Sequence, residues 1–485
     1  MNGPCLAEGD LREAQNPAYE PLGLARLKMK GEVPMRVISA VVCGLLLAGP
    51  APGTGRDGDT AGCLPGPWEK DQAAQPAFNQ WFEDDTIRLD YEHAGTTTEE
   101  TVTLHALRRE GPWPGSRVWL VDPTGFGKYR VEIRDAKAGT LLWSRGFCTL
   151  FGEWQTTDEA KTVRRAFPET VRFPRPKGEA RVSLHARGQD GTFKEIWTKD
   201  LTPKYLASAL KDASQGVEVV LLNKEGPLAT SLDIVIVPAG YPAAQEEKLR
   251  GDLERFAKIL LDTPPFDRHR GGISFRGVVE LADAAGPAEP RKGRNVAAAE
   301  GLQSTFDTLG SARYLNVLGH WHLRDLAGAA PYDAIYVMVN TSRYGGAGIF
   351  NFYAVFPSDN DYDEYVFAHE FGHSFGGLGD EYYSSAVAYS DFYPKGVEPW
   401  EPNITALLGG REGLKWRDQL SADTPMPTPE EDPWKEGVGV FEGAGYSAKG
   451  LYRPAYDCKM FSKRTIDFCP VCMCAVERMI RLYTQ

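Results

Sequence analysis

Five consecutive residues, His369-Glu370-Phe371-Gly372-His373, constrain this chain more than any other stretch. At about 3.6 residues per turn, side chains four apart share one helix face, so a helix here aims both imidazoles at a single point. Two imidazoles in that arrangement suit a transition metal ion, and Glu370 flanks the ion without ligating it. The carboxylate is then placed to take a proton from a water that the metal activates. Zinc fits the set best, because a catalytic zinc keeps three protein ligands and one open position and brings the pKa of its water to about 7. The chain has only eight histidines, so a chance occurrence of this spacing is improbable.

The third ligand is expected just beyond the helix. Gly376, Gly377 and Gly379 permit a sharp departure of the chain, after which Asp380 and Glu381 are able to swing back to the metal. The metzincin pattern H-E-x-x-H-x-x-G-x-x-H puts its third ligand six residues after the second histidine, and Gly379 occupies that position here. Asp380, one residue further on, is the expected ligand, with Glu381 as the alternative. Either carboxylate is a suitable oxygen donor. One zinc ion is expected.

The surrounding composition is that of a folded, water-soluble protein of several domains. Of 485 residues, 42% are apolar and 25% charged, and 54 basic residues against 66 acidic ones leave a net charge of −12. An acidic chain lacks the basic footprint that nucleic-acid binding requires. Lys28, Lys30 and Arg36 precede an apolar run at 37–47, followed by Ala48, Gly49, Pro50 and Ala51. The run is short of the roughly 20 residues of a membrane span and reads as a signal peptide over 35–51. Translation is then expected to start at Met35 or Met29, with 1–34 a start-site overcall, and the product to be secreted or periplasmic without a membrane span.

In an oxidising compartment, the C-terminal cluster Cys458, Cys469, Cys472 and Cys474 reads as a disulfide staple. Cys469-x-x-Cys472-x-Cys474 also reads as part of a second zinc site, one whose fourth ligand is not evident.

A Gly, Pro and Asp-rich linker covers 52–77. From 78 to 205, short alternating segments such as 101–107, 129–133 and 180–185 lie between Gly and Pro turns, predicting an antiparallel β-sandwich. From 215 to 485 the style changes. Strands are expected at 217–222, 232–237, 273–281 and 333–340, and a helix at 244–261, where apolar residues recur at helical intervals. That alternation predicts a mixed α/β domain. The 333–340 strand reads either as an open edge for an extended substrate or as an ordinary core strand followed by a mobile hairpin. His320 and His322 read as strand or loop neighbours. The Pro, Trp and acid-rich stretch 395–440 reads as an insertion over the cleft or a surface excursion.

The run from His369 to Tyr382 is joined by Phe441-Glu442-Gly443-Ala444-Gly445-Tyr446, Tyr452-Arg453-Pro454, Asp457-Cys458-Lys459-Met460 and Phe468-Cys469-Pro470-Val471-Cys472. Together these motifs resemble the immunoglobulin A peptidase family of bacterial secreted zinc endopeptidases over about 215–485, with 78–205 resembling that family's N-terminal domain. The resemblance implies a metzincin-like zinc peptidase domain and a methionine turn beneath the metal. Met460 is the candidate for that turn. The expected activity is endopeptidase hydrolysis of a protein or peptide substrate, with Glu370 as the base and Tyr446 or Tyr452 as a stabiliser of the oxyanion. Two other readings are a non-catalytic surface-binding protein on the same scaffold and a zinc amidase acting on cell-wall peptides.

Overall fold

The computed structural model describes residues 63, 75–213, 216–295, 301–384, 392–464 and 466–485. The expected signal peptide, the start-site reading and most of the linker lie outside them. Alternating side chains between glycine turns build the N-terminal half. Strands β1 (Phe82–Gly95), β2 (Glu100–Arg109), β3 (Tyr129–Asp135), β4 (Leu141–Phe147), β5 (Arg165–Pro176), β6 (Ala180–Arg187), β7 (Phe193–Leu201) and β8 (Leu210–Asp212) form two four-stranded sheets. Their orders are β5-β1-β2-β8 and β4-β3-β6-β7. Pairing is antiparallel except that β8 joins β2 in parallel. Ile87 and Leu89 of one sheet share a buried core with Val131 and Val182 of the other. His93 stacks on Phe151 and His105 on Trp321, so both imidazoles serve packing.

The second half is built on a six-stranded mixed sheet. Strands β9 (Glu218–Leu221), β10 (Leu232–Ala239), β11 (Ile273–Val279), β14 (Ala334–Val339), β15 (Ala347–Ile349) and β16 (Tyr353–Pro357) run in the order β15-β16-β14-β10-β11-β9; β12 (Ser304–Thr305) and β13 (Asn316–Val317) form a separate small ladder. The four inner strands are parallel, and the edge strands β9 and β15 are antiparallel to their neighbours. Short helices α1 (Phe78–Trp81), α2 (Leu150–Trp154) and α3 (Pro203–Ala209) belong to the first half. The longer α4 (Glu246–Asp262), α5 (His320–Ala327), α6 (Asp363–Ser374) and α7 (Pro470–Thr484) belong to the second, with a hairpin of β17 (Phe441–Ala444) and β18 (Ser447–Arg453). Leu249, Leu253, Phe256 and Leu260 form the buried face of α4.

Three readings are narrowed. The strand β14 is not an edge: it lies between β10 and β16, and every residue of it is buried, as its unbroken apolar run requires in a parallel sheet. The edge is β15, next to α6. His320 and His322 open helix α5, so two-residue spacing places them on different faces. His320 is buried against the Val317 carbonyl (3.0 Å) and the Tyr353 hydroxyl (3.2 Å). Within 395–440, Trp416 is 2% exposed and its indole donates to the Gly439 carbonyl at 2.8 Å, anchoring the stretch in the core.

The N-terminal sheets brace the hairpin at the edge of the six-stranded sheet. Cys148 N–H donates to the Phe350 carbonyl, and the Asn351 amide donates to the Gly146 carbonyl, both at 2.9 Å. Asn351 N–H in turn donates to the carbonyl of Ser374, the last residue of α6, at 2.7 Å. Helix α6 itself is fixed by aromatic packing. Phe367 and Phe371 both stack on Tyr336, with centroids 4.2 and 4.5 Å away, and Phe371 also stacks on Phe375 at 5.0 Å. Phe371→Ala is expected to lower unfolding free energy by about 3–5 kcal/mol in urea titrations, the range for truncating a fully buried aromatic side chain. A loss below about 1 kcal/mol would contradict this role.

Candidate active site

Helix α6 begins after Tyr362 with Asp363 and Glu364 in its first turn, where carboxylates complement the helix dipole. It carries a glycine, Gly372, in its interior, at a usual cost of about 1 kcal/mol. The reason is steric: a Cβ at Gly372 would lie 2.8 Å from Met460 Sδ and 3.1 Å from the Phe468 ring. The fully buried Met460 therefore packs directly against the helix between the two histidines' turns. The helix ends in a tight reversal. Gly377 takes a positive φ of 64°, and Leu378 N–H donates back to the Gly372 carbonyl at 3.0 Å.

That reversal returns Asp380 to the helix. His369 Nε2 and His373 Nε2 lie 3.2 Å apart, and Asp380 Oδ1 lies 3.2 Å from each. The three atoms form an almost equilateral triangle. Each histidine's other nitrogen is committed to a carbonyl, His369 Nδ1 to Lys459 O at 3.0 Å and His373 Nδ1 to Leu378 O at 2.6 Å. Each ring therefore carries a proton on Nδ1 and turns Nε2 to the carboxylate, an arrangement common to metal-bound histidines. Tyr365, one turn earlier on the helix, sets its hydroxyl 3.1 Å from His369 Nδ1. Tyr446 donates to Asp380 Oδ2 at 2.5 Å, while the buried Oδ1 faces the two imidazoles.

The donor set fits zinc. Ligand atoms of a tetrahedral site with bonds of about 2.0–2.2 Å stand roughly 3.3–3.6 Å apart, close to the separations found. Among the side chains alone, burial works against a charge on His373, but the Asp380 carboxylate overrides it and raises the imidazole pKa to about 9. Burial likewise opposes ionisation of Asp380, and the two imidazoles overcome it, holding the carboxyl well below its usual range. Burial pushes the Glu370 carboxyl up, with the neighbouring imidazoles partly offsetting the shift. Its carboxylate lies over the backbone of Gly346, just ahead of β15: a Cβ there would meet Glu370 Oε1 at 2.5 Å.

Glu381 does not reach the histidines. It turns to the opposite side of the chain, where its Oε1 accepts from the Asn403 amide at 3.0 Å and from the Cys472 thiol at 3.1 Å. Tyr452 lies in β18, its main chain paired with Thr405. The disulfide expectation also needs correction. Cys474 is bonded to Cys63, 411 residues away in sequence, while Cys458, Cys469 and Cys472 are unpaired and buried. The cluster in the sequence was real, but Cys63 lies in the stretch expected to be linker, so nothing local pointed to the pairing.

Several supporting groups carry little sequence signal. Asn403 accepts from Gly379 N–H at 2.8 Å and donates to the Gly379 carbonyl at 2.9 Å, pinning the segment that delivers Asp380. The Lys459 and Leu378 contributions are backbone carbonyls, which no residue type announces. Met460 is named by its motif, and Tyr446, expected at the oxyanion, instead bonds Asp380.

Residues 220–437 and 430–480 match the family described as IgA Peptidase M64, and residues 77–198 match Peptidase M64 N-terminus. No curated protein matches the chain at a significant level. The family matches span both the N-terminal sheets and the half that carries the His369, Glu370 and His373 constellation, and the chain belongs to the IgA Peptidase M64 family of metallopeptidases.

Proposed function

We infer that the protein is a zinc-dependent endopeptidase in which His369, His373 and Asp380 hold the ion and Glu370 is the general base. The observation that carries this reading is the 3.2 Å triangle of two imidazole nitrogens and one buried carboxylate oxygen. Zinc, when bound, supplies Lewis-acid polarisation of a carbonyl and acidifies water near neutral pH. Glu370, adjoining the histidines on the same helix, accepts the proton of the attacking water and delivers it to the departing amine. Its raised pKa moves it towards the working pH of such a base. Tyr446 and the two backbone carbonyls orient the ligands, and Met460 closes the space beneath them.

Substrate binding follows from the sheet edge. Among the described residues β15 is paired on one side only, with β16, and Gly346 just ahead of it bridges to Tyr314. An extended peptide pairing along β15 would pass Glu370 with its scissile carbonyl near the ligand triangle, recognition through main-chain bonds that demands no single sequence. The Cys63–Cys474 disulfide supports passage through an oxidising compartment, consistent with secretion.

A mixed peptide library digested by the purified protein, with products identified by mass spectrometry, should yield internal cuts. Glu370→Gln should retain zinc yet lose about 10²–10⁴-fold in kcat/KM; undiminished cleavage would exclude the base assignment. Zinc uptake should also depend on pH. His373 must shed its proton to bind metal, so below its pKa of about 9 affinity rises nearly tenfold per pH unit and then levels off. Chelator competition between pH 7 and 9 measures this, and Asp380→Asn should both weaken binding and flatten the dependence. An unchanged slope in that variant would show that Asp380 does not control the site.

A further inference from the structure

We propose a second, structural zinc site made by Cys458, Cys469, Cys472 and Glu381. Their four donor atoms lie within 4.8 Å of one another, compared with about 3.8 Å between sulfurs around a tetrahedral zinc, so closure needs only a small contraction. All four residues are buried, Glu381 and two of the cysteines completely. The spacing Cys469-x-x-Cys472 is that of zinc ligand pairs, and it sits at the start of the 15-residue α7, with Cys469 as its N-cap and Pro470 at the first helical position. Helix N-termini favour thiolate over thiol. Cys458 Sγ accepts hydrogen bonds from the backbone N–H of Cys469 at 3.2 Å and of Met460 at 3.5 Å, the kind of contact that steadies a ligating sulfur.

Glu381 completes the set. Its Oε1 is oriented by Asn403, while its Oε2 is fully enclosed and has no hydrogen-bond partner. An enclosed carboxylate oxygen with no hydrogen-bond partner, on a residue grouped with three cysteines, is costly in its charged form unless a cation meets it. A disulfide between any two of the cysteines would leave the third thiol and that oxygen unanswered. Three sulfurs and one oxygen select zinc among common divalent ions, and four protein ligands with no open position mark a structural site. On binding, zinc displaces protons from the thiols to solvent and no redox step is involved.

The position gives the ion a task. Glu381 adjoins Asp380, and its N–H donates to the Met460 carbonyl at 2.9 Å. Cys458 is one residue from Lys459, whose carbonyl orients His369. A zinc at the cysteines therefore clamps the 380–381 segment to the 458–460 turn and to α7, holding the ligands of the first site in place.

The full-length protein, stripped of metal and reloaded with cobalt(II), tests this. Two metal ions per chain are expected, with thiolate-to-cobalt charge-transfer absorption in the near ultraviolet that a His2Asp site does not produce. His373→Ala should keep that absorption with one ion per chain, and Cys474→Ser, outside the cluster, should keep it with two. Cys472→Ala and Glu381→Gln should weaken the cluster's affinity at least about tenfold and weaken the histidine site as well. Should Cys472→Ala fail to fold, alkylation of the native protein remains decisive: three thiols protected by metal and exposed on chelation support the site. Charge transfer absent from folded, cobalt-loaded protein, or a disulfide mapped between any two of Cys458, Cys469 and Cys472, would overturn it.

Discussion

Two adjacent carboxylates are buried in this protein, and the active half is organised around satisfying them. Asp380 is 6% exposed and Glu381 not at all. Neither position tolerates an isolated negative charge, since moving an unpaired carboxylate out of water costs several kcal/mol even after relaxation. The chain resolves this by sending the two side chains to opposite sides. Asp380 meets the imidazoles of α6, and Glu381 meets the cysteines of the 458–472 segment.

The 458–460 turn joins these two environments. Within three residues it provides a sulfur facing Glu381, a carbonyl for His369 and the thioether against Gly372. The glycine inside α6, unfavourable for helix stability alone, is explained by that approach. The aromatic stack of Phe367 and Phe371 on Tyr336 holds the opposite side of the helix, so the histidines are fixed between a rigid sheet and a rigid turn. The N-terminal sheets add a third support by tying the turn after β15 to the last residue of the helix.

Much of this was legible in the residue pattern, for reasons of range. The His369 to His373 spacing, the apolar period of α4 and the unbroken run of β14 express local geometry, and local geometry is periodic in sequence. The order of strands in the sheet is not, which is why the sequence leaves β14 open between edge and core, and only the fold gives the edge to β15. Asp380 was within reach of counting because it lies seven residues past His373. Asn403, the Lys459 carbonyl and Cys63 act across 24, 90 and 411 residues, and no local spacing encodes such partners. Cys474 shows the same limit: it sits two residues from Cys472, yet the helix turns it away from the cluster and towards Cys63.

Anomalous diffraction at the zinc edge, from crystals of the full-length protein, tests most directly the division of labour between Asp380 and Glu381. Two peaks are expected, one bounded by His369, His373 and Asp380, the other by Cys458, Cys469, Cys472 and Glu381. A single ion held by the two histidines together with Glu381, or no peak within the histidine triangle, would contradict it.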